Sequence, residues 1–89
     1  PCMKIEVRLF GCFSEFEPDS LLQLDLPDAA ATVADARAAV QAHGLQHWPR
    51  FKPDLLRVSA FASEDSLLRD GAVIPADGRL CLLPPVSGG

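Results

Sequence analysis

The stretch Arg79-Leu80-Cys81-Leu82-Leu83-Pro84-Pro85-Val86-Ser87-Gly88-Gly89 joins an apolar strand pattern to a diproline and two glycines. Glycine has no Cβ, so a Gly88-Gly89 terminus fits a channel too narrow for side chains and leaves its carboxylate unhindered. The diproline is a stiff spacer, because each proline ring fixes φ. The stretch therefore predicts a carboxylate that another protein modifies, with an inert frayed tail as the alternative.

Length and charge limit the class of protein. The 89 residues are 48% hydrophobic, which is enough for one compact domain and too short for two. The formal net charge of −4 argues against binding to nucleic acid or to an anionic membrane, since phosphate affinity needs clustered Lys and Arg. No apolar run approaches the roughly 20 residues of a membrane span. We expect a soluble, cytoplasmic protein.

The cysteines and histidines do not predict a metal site. Cys2, Cys12 and Cys81 are far apart, and neither His43 nor His47 lies beside a cysteine. We interpret the cysteines as reduced and structural, with Cys12 and Cys81 acting as small buried apolar residues. No nucleophile, base and orienting group can be assembled from the residues, so we expect no catalysis by the isolated chain and no bound cofactor or metal.

Periodicity and turn signals predict five strands and one main helix. Alternating apolar residues predict strands over 3–9, 22–26 and 55–62, and a short strand is predicted at 67–68. The turn signal Asp77-Gly78 precedes a predicted final strand over 79–83. Thr32 followed by Asp35 resembles a capping box, and a helix is expected from Val33 to His43 with Gly44 as its C-terminal cap. The segment from Gln46 to Pro53 is predicted to be a loop in which Trp48 closes the helix end over the core and His47 is solvated.

This order of elements predicts an α+β fold. One helix covers one face of a mixed sheet of four to five strands, the β-grasp arrangement of ubiquitin-like proteins. We therefore expect a domain over residues 1–83 and a flexible Gly-Gly tail over residues 84–89.

Nearly the whole chain resembles a known family, the small subunit of molybdopterin synthase, or MoaD-type sulfur carriers, and two segments carry the resemblance. The ending from Leu82 to Gly89 is similar to the family's apolar-apolar-Pro-Pro-Val-(Ser/Thr/Ala)-Gly-Gly ending. The stretch from Val7 to Glu15 is similar to the family's first strand and the small residue after it. Thiamine-pathway sulfur carriers share the fold and Gly-Gly but usually lack the diproline.

The resemblance implies a role for Gly88 and Gly89 in two steps. A ubiquitin-activating-like adenylyltransferase would use ATP to adenylate the Gly89 carboxylate, and a persulfide donor would then give a C-terminal thiocarboxylate. In the large synthase subunit, within a heterotetrameric sulfurtransferase, the thiocarboxylate would donate sulfur to cyclic pyranopterin monophosphate. The resemblance also implies contact residues for the partners: Pro84, Pro85, Val86 and Ser87 in the tail, and Phe10, Leu67 and Leu83 on the domain.

Three alternatives stay open from the sequence. The protein could carry sulfur for another pathway, such as thiamine or another sulfur metabolite. Activated Gly89 could instead be joined to a lysine amine, as in a ubiquitin-like modifier. The domain could also be a plain binding module with an inert tail.

Overall fold

A computed structural model describes residues 3–26 and 32–85. Its five strands are β1 (Met3–Leu9), β2 (Leu21–Leu26), β3 (Ala60–Ala62), β4 (Leu67–Leu68) and β5 (Arg79–Leu83). Its helices are a 3-10 helix (Gly11–Phe16), α1 (Val33–His47) and α2 (Pro53–Arg57). No helix within the described ranges is both long enough and apolar enough to cross a membrane.

The strands form one mixed sheet in the order β2-β1-β5-β3-β4. The central pair, β1 and β5, is parallel, and every other neighbouring pair is antiparallel. A parallel pair needs a long crossover connection, which here contains α1 and the elements that follow it. This arrangement is the predicted β-grasp fold, with five strands and one main helix.

One face of the sheet and the inner side of α1 form the core. Alternate residues of β1 and β5 point to this face, and for β1 this is the alternation that the sequence predicted. Full burial of each large apolar side chain contributes about 1.5–3 kcal/mol relative to exposure. The core residues with the least exposed surface include Val7, Leu9, Phe13, Val33, Val40, Leu56, Phe61 and Leu82.

Helix α1 begins as predicted but ends later. The Asp35 carboxylate accepts a hydrogen bond from the Thr32 backbone N–H at 2.9 Å, which satisfies a free amide at the helix start. The predicted cap at Gly44 is wrong, because the helix continues to His47. The ring of Phe51 packs over Gly44, where an added Cβ would lie 2.8 Å from Cδ1 of that ring. Gly44 is therefore needed for close packing rather than for a left-handed cap.

The predicted strand over residues 55–62 is also corrected. Residues 53–57 form α2, with Pro53 at the helix start and Asp54 in the first turn, and only Ala60–Ala62 pairs in the sheet. Proline suits the first helical position because its missing N–H would be unpaired there anyway. The connection between β1 and β2 contains the 3-10 helix.

The side chain of Arg37 fastens α1 to two neighbouring segments. Its Nη1 donates to the backbone oxygens of Leu56 and Ser59, at 2.7 and 2.8 Å. Its Nε and Nη2 donate to Oδ1 of Asp70, at 3.2 and 2.8 Å. Arg37 thus holds α2 and the segment after β4 against the helix.

Candidate functional site

The strand that leads to the C-terminal tail is the middle strand of the sheet. β5 lies between β1 and β3, and Pro84 follows its last residue, Leu83. Pro84 packs against Gly11, whose φ of 57° is in the left-handed region. A Cβ on Gly11 would lie 2.6 Å from Cγ of Pro84, so only glycine allows this approach without movement. The base of the predicted tail is therefore held at the start of the 3-10 helix.

The four predicted tail residues Val86, Ser87, Gly88 and Gly89 lie outside the described residues. Pro85 is the last described residue of the chain, and it is exposed. Pro84 is half-buried. The two prolines thus differ: Pro84 contacts its own domain and Pro85 faces outward.

The predicted docking residues Phe10, Leu67 and Leu83 share the sheet face opposite α1. On β5, Leu82 is buried against the helix, so Leu83 belongs to the opposite face. Leu67 pairs with Ala62, which pairs with Cys81 on that same face. Phe10 follows β1 directly and has extended backbone. Its side chain therefore points to the same face as that of Arg8, which is two residues earlier and exposed. The structure therefore brings all three residues to one surface, which we call the outer sheet face.

The outer sheet face carries apolar residues beside a charged group. Leu67 is 69% exposed and Phe10 is 38% exposed. Phe10 also lines a shallow depression of about 290 Å³ together with Arg8, Leu21 and Cys81. Phe10 and Leu67 lie at opposite sides of this face, with β5 and β3 between them. Exposed apolar side chains on one face, with polar residues around them, are typical of protein interaction sites.

The charged group on this face is centred on Arg79. Its guanidinium nitrogens lie 3.9 Å from carboxylate oxygens of both Glu6 and Glu64. Exposed ion pairs of this kind contribute little to stability because water and salt screen them. Their positions at the edge of an apolar surface are better suited to orienting a partner.

A second cluster, which the sequence did not predict as a unit, fixes the 3-10 helix against the end of α1. Trp48 is buried, and its Nε1 donates to Oε2 of Glu17 at 2.6 Å. The same oxygen lies 3.2 Å from Nε2 of His43. Phe16 stacks on Trp48, with 4.8 Å between ring centroids. Trp48 therefore closes the helix end as predicted, His47 is exposed as predicted, and Glu17 is the partner that no sequence pattern indicated.

The structure contradicts the predicted burial of Cys12 and gives Cys81 only partial burial. The 3-10 helix turns Phe13 into the core and leaves Cys12 exposed, whereas Cys81 is half-buried in β5. Cys2 lies outside the described residues. Within residues 3–26 and 32–85, no three His, Cys, Asp or Glu side chains are grouped closely enough to hold a metal ion. The described residues provide an exposed surface and a fixed tail base.

Comparison with known proteins gives one curated relative and one solved structure of note. No protein-family model matches the chain. The molybdopterin synthase sulfur carrier subunit of Synechococcus elongatus is 40% identical over 90 residues, which cover 96% of each chain. The crystal structure of SAMP1 from Haloferax volcanii has a TM-score of 0.69 and 31% identity, over 98% of this chain and 100% of that one.

These two matches agree with the geometry. The SAMP1 match extends over essentially the whole β-grasp domain described above, so the fold does not depend on one local motif. The curated match extends over nearly the full length of both proteins at an identity well above that of chance similarity. The chain belongs to the family of molybdopterin synthase sulfur carrier subunits.

Proposed function

We propose that this protein is the sulfur-carrying subunit of a molybdopterin synthase and carries sulfur as a thiocarboxylate on Gly89. The observation that carries the proposal is the 40% identity, over 96% of both chains, to a protein named as that subunit. The Pro84 to Gly89 ending supports it, since it gives an unhindered carboxylate after a stiff spacer. The domain over residues 1–83 would position the tail over residues 84–89.

Activation of Gly89 is assigned to a partner. A carboxylate oxygen is a poor leaving group, so an adenylyltransferase of the ubiquitin-activating type would join the Gly89 carboxylate to AMP at the expense of ATP. The terminal sulfur of a persulfide donor then displaces AMP to give an acyl disulfide, and a thiol reductant cleaves its S–S bond to leave the thiocarboxylate. Gly88 and Gly89 contribute by having no side chains to obstruct a narrow active site. The carrier itself binds no cofactor in this scheme.

Delivery of the sulfur is assigned to the large synthase subunit, in a heterotetramer with two copies of each subunit. The thiocarboxylate attacks cyclic pyranopterin monophosphate inside that subunit, in the cytoplasm. Four residues after Pro85 span at most about 14 Å, so the partner's reaction centre has to lie within that distance of the domain. Packing of Pro84 on Gly11 supports delivery, because a fixed tail base makes the attack nearly unimolecular once the complex forms.

The outer sheet face is proposed as the surface that docks the partners. Phe10, Leu67 and Leu83 would lie against apolar residues of the large subunit, and Pro85, Val86 and Ser87 would continue into its channel. Exposure of Leu67 and Phe10 supports this assignment, because neither side chain is needed to fill the core.

The proposed chemistry is tested by the intact mass of the protein after incubation with ATP, a sulfur donor and the host adenylyltransferase. We expect a mass gain equal to the exchange of one oxygen for one sulfur, absent when Gly89 is deleted or when one residue is added after it. No gain, with the enzyme shown to be active on another carrier, would refute the proposal. Lysine-linked conjugates in its place would indicate a modifier, and a thiocarboxylate not consumed by the pyranopterin precursor would indicate another pathway.

The proposed docking face is tested by two matched substitutions. Leu67→Asp and Leu45→Asp make the same chemical change at residues that are 69% and 60% exposed, but Leu45 is on α1 rather than on the outer sheet face. We expect Leu67→Asp to weaken binding to the large subunit at least tenfold and Leu45→Asp to leave it within twofold. Equal affinities of the two variants would remove Leu67 from the interface.

A further inference from the structure

A second surface depression lies on the α1 side of the sheet, between the 3-10 helix and the segment from Pro49 to Leu55. It has a volume of about 610 Å³. We call it the basic groove, and its lining includes Cys12, Phe13, Phe16, Arg50, Lys52 and Leu55. It shares no lining residue with the depression on the outer sheet face.

The basic groove combines an apolar floor with unpaired positive charge. Phe13, Phe16 and Leu55 belong to the core or pack against it and still line the groove. Arg50 and Lys52 are exposed and line the groove, and Glu15 is also part of the lining. A groove with this floor accepts an aliphatic or aromatic side chain, and its two cations favour a carboxylate beside that side chain.

Arg50 and Lys52 share the lack of a nearby carboxylate, in the described part of the chain, with Lys4, Arg8 and Arg69, but Arg50 and Lys52 line one groove together. Arg37, Arg57 and Arg79 each lie within 4.0 Å of a carboxylate. In the described part of the chain, no carboxylate lies that close to Arg50 or Lys52. Two unpaired cations together on a protein of net charge −4 attract an acidic segment that the rest of the surface repels.

The basic groove begins beside the point where the tail leaves the domain. Cys12, which lines the groove, follows Gly11 in the chain, and Gly11 contacts Pro84. A protein that encloses the residues after Pro85 therefore has part of its surface next to the groove. The tail and the groove can be contacted by one partner in one complex.

We propose that the basic groove binds an acidic, apolar segment of the large synthase subunit while that subunit holds the tail. The inference rests on the proposed function, which supplies the partner. The segment would place one large apolar side chain over Phe13 and Phe16 and Asp or Glu side chains near Arg50 and Lys52. The groove would then act as a second contact, separate from the outer sheet face, that fixes the rotation of the carrier about its tail.

The test compares two double charge reversals in binding to the host's large subunit. Arg50→Glu/Lys52→Glu changes the groove, and Arg57→Glu/Arg69→Glu makes the same change in net charge at exposed residues outside it. We expect the groove variant to weaken binding about tenfold or more at low salt, with the difference shrinking as salt rises. The control should stay within twofold of the unmodified protein, and thermal unfolding of both variants verifies their folding.

A second measurement detects whether the groove is covered in the complex, without changing the charge of the groove. Cys12 is exposed, so N-ethylmaleimide should alkylate it in the free carrier, and peptide mass mapping separates it from Cys2 and Cys81. We expect the large subunit to slow alkylation of Cys12 at least tenfold. Protection that instead grows with the concentration of the carrier alone would assign the groove to a second copy and overturn the proposal.

The two proposals fail in different ways. If Leu67→Asp abolishes binding while the groove variant binds like the control and Cys12 reacts at its free rate, the groove inference is wrong and the proposed function stands. If the unmodified carrier does not bind the large subunit at all, the proposed function is refuted and the groove inference with it.

Discussion

A methyl group added at Gly11 tests how the base of the tail is held. Gly11 has a φ of 57°, and this left-handed conformation costs a residue with a Cβ about 1–2 kcal/mol. The new Cβ would lie 2.6 Å from Cγ of Pro84, and the ring would have to move by about 1 Å to reach ordinary contact. We expect Gly11→Ala to lower the free energy of unfolding by about 1–3 kcal/mol in total.

The assay is urea and thermal unfolding followed by fluorescence of the single tryptophan, Trp48. For a domain of this size the expected loss corresponds to a fall in melting temperature of about 4–8 °C per kcal/mol. Gly71→Ala is the matched control, because Gly71 has no positive φ and no atom within 4 Å of an added Cβ. The control should be neutral or stabilising by up to about 1 kcal/mol.

A double-mutant cycle separates the two parts of the Gly11 penalty. In a Pro84→Gly background the contact with the ring is gone, so Gly11→Ala should cost only the left-handed φ, about 1–2 kcal/mol. Equal effects of Gly11→Ala and Gly71→Ala would refute the geometry at Gly11. An unchanged penalty in the Pro84→Gly background would show that the Pro84 contact contributes nothing.

Substitutions at Arg37, Asp70 and Glu17 test the contacts that hold the helices in place. Arg37→Lys should lower the free energy of unfolding by about 2–3 kcal/mol, since a lysine cannot reach two backbone oxygens and a carboxylate together; urea unfolding measures it. Asp70→Asn, at a side chain that is 55% exposed, should cost less than about 1 kcal/mol. Glu17→Ala should cost about 1–3 kcal/mol and change the near-ultraviolet circular dichroism of Trp48, because the buried indole N–H loses its acceptor. Glu17→Gln keeps an acceptor oxygen and should cost clearly less; equal losses in the two Glu17 variants would contradict this role.

β1 and β2 could be predicted because their apolar residues alternate with polar ones, and alternation assigns each side chain to a face. Phe10 reaches the outer sheet face because it continues the alternation of β1. β5 has four apolar residues in succession, Leu80 to Leu83, so its register on β1 rather than its own pattern decides that Leu83 lies on the outer sheet face. The start of α1 was also predictable, since Thr32 and Asp35 interact within one turn.

The errors arose where distant residues decide the local structure. Gly44 has the sequence context of a helix end, but the ring of Phe51, which follows the helix, packs over it within the helix. The hydrogen bond from Trp48 to Glu17 joins residues far apart in the chain, and no spacing rule relates them. The helix α2 could have been predicted from neighbouring residues, because Pro53 followed by Asp54 is a typical helix start.

The parallel pairing of β1 with β5 has a consequence for how the protein folds. These two central strands lie near opposite ends of the described chain, so joining them closes a loop that contains nearly every other element. Closing so long a loop has a large entropic cost and is repaid only when the core assembles, which makes the folding reaction slow and cooperative. A partly folded chain therefore does not have β5 in the sheet or Pro84 against Gly11. A partner that requires both the outer sheet face and the tail would thereby select completely folded molecules.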